Sequence, residues 1–274
     1  MAAHVFDEFL RPDKLKTMWC PGCGNGIVLQ AIIRALGESG VDRNKIVVVS
    51  GIGCSSRAVN YLDVCGLHTM HGRAMAFATG VKMANPELTV VVITGDGDCT
   101  SIGGNHFIQG CRRNIDLTAV VFNNENYGMT GGQYSPTTPV GSMTKTSVYG
   151  SYEPPFDVCK LAEGAGATYV ARGLTYQPVQ LKNLILKGIR HKGFSVIDAM
   201  SDCPSLYGRL NKLGDAASMM KRWANLAVPT AKAKQMTPEE LAGKVVYGEF
   251  VNTDARVEYT ANYAQVIAKA QGGK

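Results

Sequence analysis

Five apolar runs limit what this chain can fold into. Residues 46–50 (IVVVS), 88–94 (LTVVVIT), 117–123 (LTAVVFN), 167–171 (ATYVA) and 194–200 (FSVIDAM) are short, β-branched and lack polar alternation. A strand buried on both faces reads this way. Segments with helical apolar spacing lie between them, over residues 27–36 (ending near Gly37), 73–84 (stopped by Asn85-Pro86), 102–113, 156–165 and 178–190. Strands alternating with helices predict an α/β chain with a doubly wound, mostly parallel sheet covered on both faces. In such sheets ligands gather at the carboxyl ends of the strands. Residues 127–155, rich in Gly, Ser, Thr and Pro, are too long for an ordinary connection, which points to a functional loop. The organisation expected is an N-terminal arm and helix over 1–45, an α/β core over 46–205 and a C-terminal extension over 206–274 that makes subunit contacts.

At 274 residues, 45% hydrophobic and 18% charged, the chain can bury a full core. The net charge of +6 comes without a Lys/Arg run interleaved with aromatics, so nucleic acid is not an expected partner. No apolar run reaches the ~18 residues of a membrane span. The N-terminus lacks a basic segment followed by an apolar one. The expectation is a cytoplasmic protein with no membrane association. Its eight cysteines are then metal ligands, redox groups or core residues rather than a disulfide framework.

Strand 88–94 runs into Gly95-Asp96-Gly97-Asp98, and strand 117–123 into Asn123-Asn124-Glu125-Asn126. Each motif alone is common in turns. Together they bring a carboxylate and a carboxamide to one sheet edge. Mg²⁺ takes hard oxygen ligands in octahedral geometry and bridges phosphates. Asp96, Asn124 and the carbonyl of Asn126 could give three ligands, and a diphosphate and water the rest. Gly95 and Gly97 permit the tight turn. A helix beginning near Ile102 could aim its amide groups at the diphosphate. In the bland reading Asp96 is a cap and Asn124 a turn residue.

Cys20-Pro21-Gly22-Cys23 is a Cys-x-x-Cys, Cys54 sits in a Gly-rich loop after strand 46–50, and Cys203 follows strand 194–200. Four thiolates can hold a [4Fe–4S] cluster. A thioredoxin-type pair and a zinc site compete for the first two; the order Pro-Gly and the lack of a second Cys-x-x-Cys argue against both. Cys111 and Cys159 fall in helices, as core residues.

The set Trp19–Gly24, Ser50–Arg57, His71-Gly72-Arg73, Gly95–Asp98, Ile102–His106, Asn123-Asn124, Tyr127–Gln133 and Cys203-Pro204 resembles the thiamine diphosphate-binding β subunit of 2-oxoacid:ferredoxin oxidoreductases. The resemblance covers residues 19 to about 207. It implies a thiamine diphosphate-type (pyrophosphate-domain) sheet with an N-terminal cluster-binding arm. Asp96, Asn124 and Asn126 would hold Mg²⁺, and Cys20, Cys23, Cys54 and Cys203 the [4Fe–4S] cluster. Ile52, Gly53, Cys54, Ser55, His71, Gly95, Gly97, Asp98, Gly128 and Met129 would line the thiamine diphosphate. The implied reaction is coenzyme A-dependent oxidative decarboxylation of a 2-oxoacid, or its reverse, with electrons passing through the cluster to ferredoxin. An α subunit would carry the pyrimidine-binding domain and the activating glutamate, in an αβ or (αβ)₂ assembly with room for further small subunits. Arg57 falls where the family places a basic, substrate-facing residue; with His71 it is the expected catalytic pair. A guanidinium would suit the second carboxylate of 2-oxoglutarate, and residues 131–137 look closest to the 2-oxoglutarate branch. Pyruvate is the runner-up. A non-redox decarboxylase subunit and a non-catalytic, zinc-stabilised assembly subunit stay open. Arg57 could instead pair with a neighbouring acid, and His71 could be a packing residue.

Overall fold

The apolar runs form the centre of one sheet. The structure, a computed structural model, describes residues 5–14 and 16–272. Its strands are β1 (Ile46–Ser50), β2 (Cys65–His68), β3 (Thr89–Gly95), β4 (Leu117–Asn123), β5 (Tyr169–Leu174), β6 (Phe194–Met200), β7 (Ala227–Pro229) and β8 (Val245–Asn252). Among the described residues they make an eight-stranded sheet in the order β2-β1-β3-β4-β6-β5-β8-β7. Every pairing is parallel except β5 with β8.

Period-2 geometry sends successive side chains of each strand to opposite faces. Val91 and Ile93 of β3, with Val120 and Phe122 of β4, pack under helices Asn25–Ser39 and Pro178–Arg190. Val90 and Val92, with Ala119 and Val121, pack under Ala74–Ala84 and Gly104–Arg113. Both faces are covered, which is why these strands show no polar alternation.

The first helix is longer than its spacing suggests. It runs Asn25–Ser39 and is capped by Gly40 in the left-handed region (φ 78°). Gly37 lies inside it, because a Cβ there would come within 2.2 Å of Val5 Cγ2. Its job is close packing rather than termination. The C-terminal part contributes β7 and β8 to the sheet, as well as helices Ala216–Leu226 and Tyr259–Ala270. So it is more than an extension laid over the core.

One buried ion pair crosses the sheet interior. Arg172 on β5 donates to Asp198 on β6 (2.8 Å) and to Asp157 (2.6 Å), and Asn123 donates to Asp198 (3.1 Å). Asp198 has no exposed surface. Removing its partner strands a buried carboxylate, which costs about 3–5 kcal/mol. Arg172→Met is expected to lose that much in urea unfolding. A loss below about 1 kcal/mol would show that the pair contributes little beyond its packing.

The strand order positions the site. From β1 the chain moves outward to β2, then returns to lay β3 on the other side of β1. The loops after β1 and β3 therefore diverge, and a crevice opens between them at the carboxyl edge. Gly51–Cys54 and Asp96–Asp98 border that crevice.

Candidate active site: two adjoining cavities

The first cavity, about 200 Å³, opens at that switch point. Ile52, Gly53, Cys54 and Ser55 come to its wall from the loop after β1, Gly95 from the end of β3, and Asp96, Gly97 and Asp98 from the turn that follows it. Asn124, Asn126, Gly128 and Met129 follow β4, and His71 completes the set. All ten residues expected to line the cofactor are there, with all three expected at the magnesium. Phe122, Tyr127 and Thr130 line it as well.

Asp96 is 2% exposed. Its carboxylate accepts from the hydroxyls of Ser135 (2.5 Å) and Thr137 (2.7 Å). Burial pushes its pKa up to about 6 against those two hydrogen bonds. Asn124 Oδ1 is buried on the same wall with no partner, and both polar atoms of the Asn126 side chain are likewise unpaired. Buried oxygens without partners are rare. A buried carboxylate and an orphaned carboxamide oxygen facing one cavity are the donor set a hard divalent cation needs. Ser135 and Thr137 were not anticipated as site residues. Nothing in the spacing of the long loop shows that it folds back onto Asp96.

Asp98 is a hub rather than a metal ligand. Its carboxylate accepts from Thr94 Oγ1 (2.6 Å) and from the amides of Gly72 (2.7 Å) and Ile52 (3.3 Å), and it pairs with His71 Nδ1 (2.6 Å). It thereby locks together the loops after β1, β2 and β3. Bonding at Nδ1 orients the His71 ring, whose other nitrogen is left for the cavity. The helical run expected at Ile102 starts earlier, as a π turn over Asp98–Ile102, and continues as Gly104–Arg113. Its N-terminus thus lies directly beside Asp96 and not a turn away.

The second cavity, about 250 Å³, holds the thiols. Cys20, Cys23, Cys54 and Cys203 all line it, with Met18, Trp19, Pro204 and Leu206 as apolar walls. Three loops are tied to make it. Cys23 N–H donates to Cys20 O (3.0 Å), Gly24 N–H to Asp202 O (3.0 Å), and Trp19 Nε1 to Cys54 O (2.7 Å). Burial, reinforced by the neighbouring thiols, pushes Cys23 up to about 12 and Cys54 up to about 11. Such thiols ionise when a cationic group takes them as ligands. Cys99, Cys111 and Cys159 are buried in the core. No three His, Cys, Asp or Glu side chains among the described residues converge on a single metal ion. Four thiols lining one cavity are the donor set that a [4Fe–4S] cluster takes.

Cys54, Asn124, Gly128 and Met129 line both cavities. Gly128 is the thin point. A Cβ there would lie 3.3 Å from Cys54 Sγ and 3.4 Å from Asn126 Oδ1.

Arg57 does not join this arrangement. It ends the short turn Ser55–Arg57 and lines neither cavity. Among the described residues it forms no ion pair with a neighbouring acid. Its charge reaches Cys54 and His68 through space.

The family described as "Thiamine pyrophosphate enzyme, C-terminal TPP binding domain" matches residues 51–199. The "2-oxoglutarate synthase subunit KorB" of Methanocaldococcus jannaschii is 50% identical over 266 residues, 97% of this chain and 98% of that one. The chain belongs to the KorB family. The KorB of Archaeoglobus fulgidus is 59% identical over 200 residues, 73% of this chain and 74% of that one. A solved 2-oxoglutarate:ferredoxin oxidoreductase from Magnetococcus marinus, with 2-oxoglutarate, coenzyme A and succinyl-CoA bound, is similar with a TM-score of 0.87. It is 35% identical, over 100% of this chain and 93% of that one. The match to the thiamine pyrophosphate-binding family spans every residue that lines the first cavity.

Proposed function

We propose that this chain is the thiamine-binding β subunit of a 2-oxoglutarate:ferredoxin oxidoreductase, catalysing coenzyme A-dependent decarboxylation of 2-oxoglutarate or its reverse. The observation that carries the reading is the shared wall: a cavity with a buried Asp96 and an unpaired Asn124 adjoins one lined by four cysteines. The names of the relatives supply the substrate class. Asp96, Asn124 and the Asn126 carbonyl hold Mg²⁺. Cys20, Cys23, Cys54 and Cys203 hold a [4Fe–4S] cluster.

Thiamine diphosphate supplies a nucleophilic carbon and an electron sink for removing carbon dioxide from a 2-oxoacid. The chain's own residues orient and insulate. Asp98 fixes the loop that carries Ile52 and Cys54. Ser135 and Thr137 aim the Asp96 carboxylate. Cys54 and Gly128 keep the thiol cavity within contact of the cofactor cavity.

A partner α subunit holds the pyrimidine ring and brings the activating glutamate. The long loop between β4 and helix Val158–Gly164 exposes Val140, Val148, Tyr149, Tyr152 and Phe156, apolar surface of the kind subunit contacts bury. Eight free thiols suit a reducing cytoplasm. Among the described residues no helix is long and apolar enough to cross a membrane.

The test is viologen reduction by the whole complex with coenzyme A. 2-Oxoglutarate is expected to exceed pyruvate in kcat/KM by at least about tenfold, a difference of about 1.4 kcal/mol in transition-state binding. Equal rates would move the reading to a broad-specificity enzyme. A colourless complex that does not bleach with dithionite would end the redox reading.

A further inference from the structure

Between the two magnesium-site asparagines stands Glu125, a non-glycine residue with φ +61°. Its amide donates to Asn123 Oδ1 (3.4 Å), and its carbonyl accepts from Thr138 Oγ1 (2.6 Å). Its side chain turns away from the magnesium wall and lines neither cavity. There Arg222 Nη2 donates to the carboxylate at 3.2 Å, and the Tyr207 side chain bonds it as well. Both members of the ion pair are largely buried, with side chains 20% and 12% exposed.

Arg222 belongs to the C-terminal helix Ala216–Leu226, and that helix also seats the thiol loops. Ala216 packs against the Cys-x-x-Cys turn so closely that a Cβ on Gly22 (φ +76°) would come within 2.4 Å of its Cβ. Met219 packs with Cys203 and Tyr207. Trp223 Nε1 donates to both oxygens of Asp202 (3.2 and 3.3 Å), beside Cys203. The Arg222 guanidinium lies 4.6 Å from the centre of the Trp223 ring and 5.9 Å from that of Tyr207. One helix therefore touches two of the thiol loops, and through Arg222 it grips the loop of Asn124 and Asn126.

We propose that Arg222 is a positioning residue that couples the magnesium loop to the four-cysteine site, its ion pair with Glu125 setting both in register across the shared wall. The proposal rests on the reading of the two cavities as Mg²⁺–thiamine diphosphate and [4Fe–4S] sites. A change made on the helix is then felt at the magnesium, and a change made on the loop is felt at the cluster. Neither residue lines either cavity, so these far-side effects separate positioning from direct ligation.

The test uses the complex with its partner subunit, carrying R222M, R222K, E125Q or E125Q/R222M. Two properties are read: the Mg²⁺ concentration that retains half of the bound thiamine diphosphate, and the electron paramagnetic resonance spectrum of the dithionite-reduced cluster. R222M is expected to need about tenfold more Mg²⁺, a coupling of ordinary size. E125Q is expected to shift the g values of the cluster at unchanged iron content. R222K should restore most of the Mg²⁺ dependence. E125Q/R222M should lie nearer to wild type than the sum of the two single changes, because neither charge is stranded. Mg²⁺ dependence within twofold of wild type in R222M, or an unshifted spectrum in E125Q, overturns the proposal. Should R222M lose its iron outright, the double variant decides, and additive effects there count against it. A wild-type complex without bound thiamine diphosphate or iron would fail the underlying reading instead.

Discussion

Replacing Asp96 with asparagine is expected to abolish cofactor-dependent turnover while making the cofactor-free protein more stable. The two effects have one cause. Burial raises the carboxyl from 3.8 to about 6 in the folded chain. A raised folded pKa favours folding in acid, and the benefit fades as pH rises through about 6. At pH 7 the ionised, buried group is a penalty of about 3 kcal/mol. Mg²⁺ bound as proposed would remove that penalty; asparagine removes it permanently, along with the charge that would attract the ion. Asp96→Asn should therefore lose at least about 10³-fold in activity, comparable to removing a principal electrostatic group from an active site. Its cofactor-free melting temperature at pH 7 should rise by several degrees. The gap from wild type should close as pH falls from 7 to 4. A variant that melts lower than wild type at pH 7, or that keeps a tenth of the activity, would refute the metal-ligand role.

The second large effect concerns Cys203, which is buried, lies after β6 and lines only the thiol cavity. Cys203→Ala in the whole complex should lose the broad visible absorption. Ferredoxin reduction should fall by at least about 10²-fold, beyond the 10–100-fold typical of losing a mere support to a metal ligand. Carbon dioxide release in a single turnover should survive, because decarboxylation needs the thiamine carbon and not an electron acceptor. Cys159→Ala, in the core, should keep colour and electron transfer. Full absorption in the Cys203 variant would remove it from the ligand set. Loss of the carbon dioxide burst along with the colour would mean that the thiol cavity is needed for the chemistry itself.

Much of this arrangement is legible in the chain, for identifiable reasons. The strands at 46–50, 117–123 and 194–200 match to the residue because each is an unbroken apolar run buried on both faces. The helix at 178–190 is marked by Pro178 at its first turn. β2 escapes because it is an edge strand whose residues Cys65, Gly66 and His68 are exposed, which leaves no apolar run to read. β8 escapes because it is half-buried, carries Gly248 in the left-handed region and pairs across a bulge.

The site follows the same division. Motif residues at strand ends could be placed, since the topology dictates where strand ends go. Ser135 and Thr137, 39 and 41 residues from Asp96, could not. Nor could Arg222, 97 residues from Glu125. Those partners are brought in by the long loop and the C-terminal helix, whose paths no local periodicity encodes. For Arg57 the motif position says which loop the residue occupies, and there it lines neither described cavity.

The four thiols come from three distant stretches, the third of them after the last parallel strand of the core, and the helix that packs on their loops is later still. A nascent chain on the ribosome thus carries Cys20, Cys23 and Cys54 long before Cys203 emerges, so the four-thiol site proposed for a cluster stays incomplete until most of the chain has been made. Loading of the proposed cluster is therefore expected to follow folding, with the side where Cys20 is exposed as its entry.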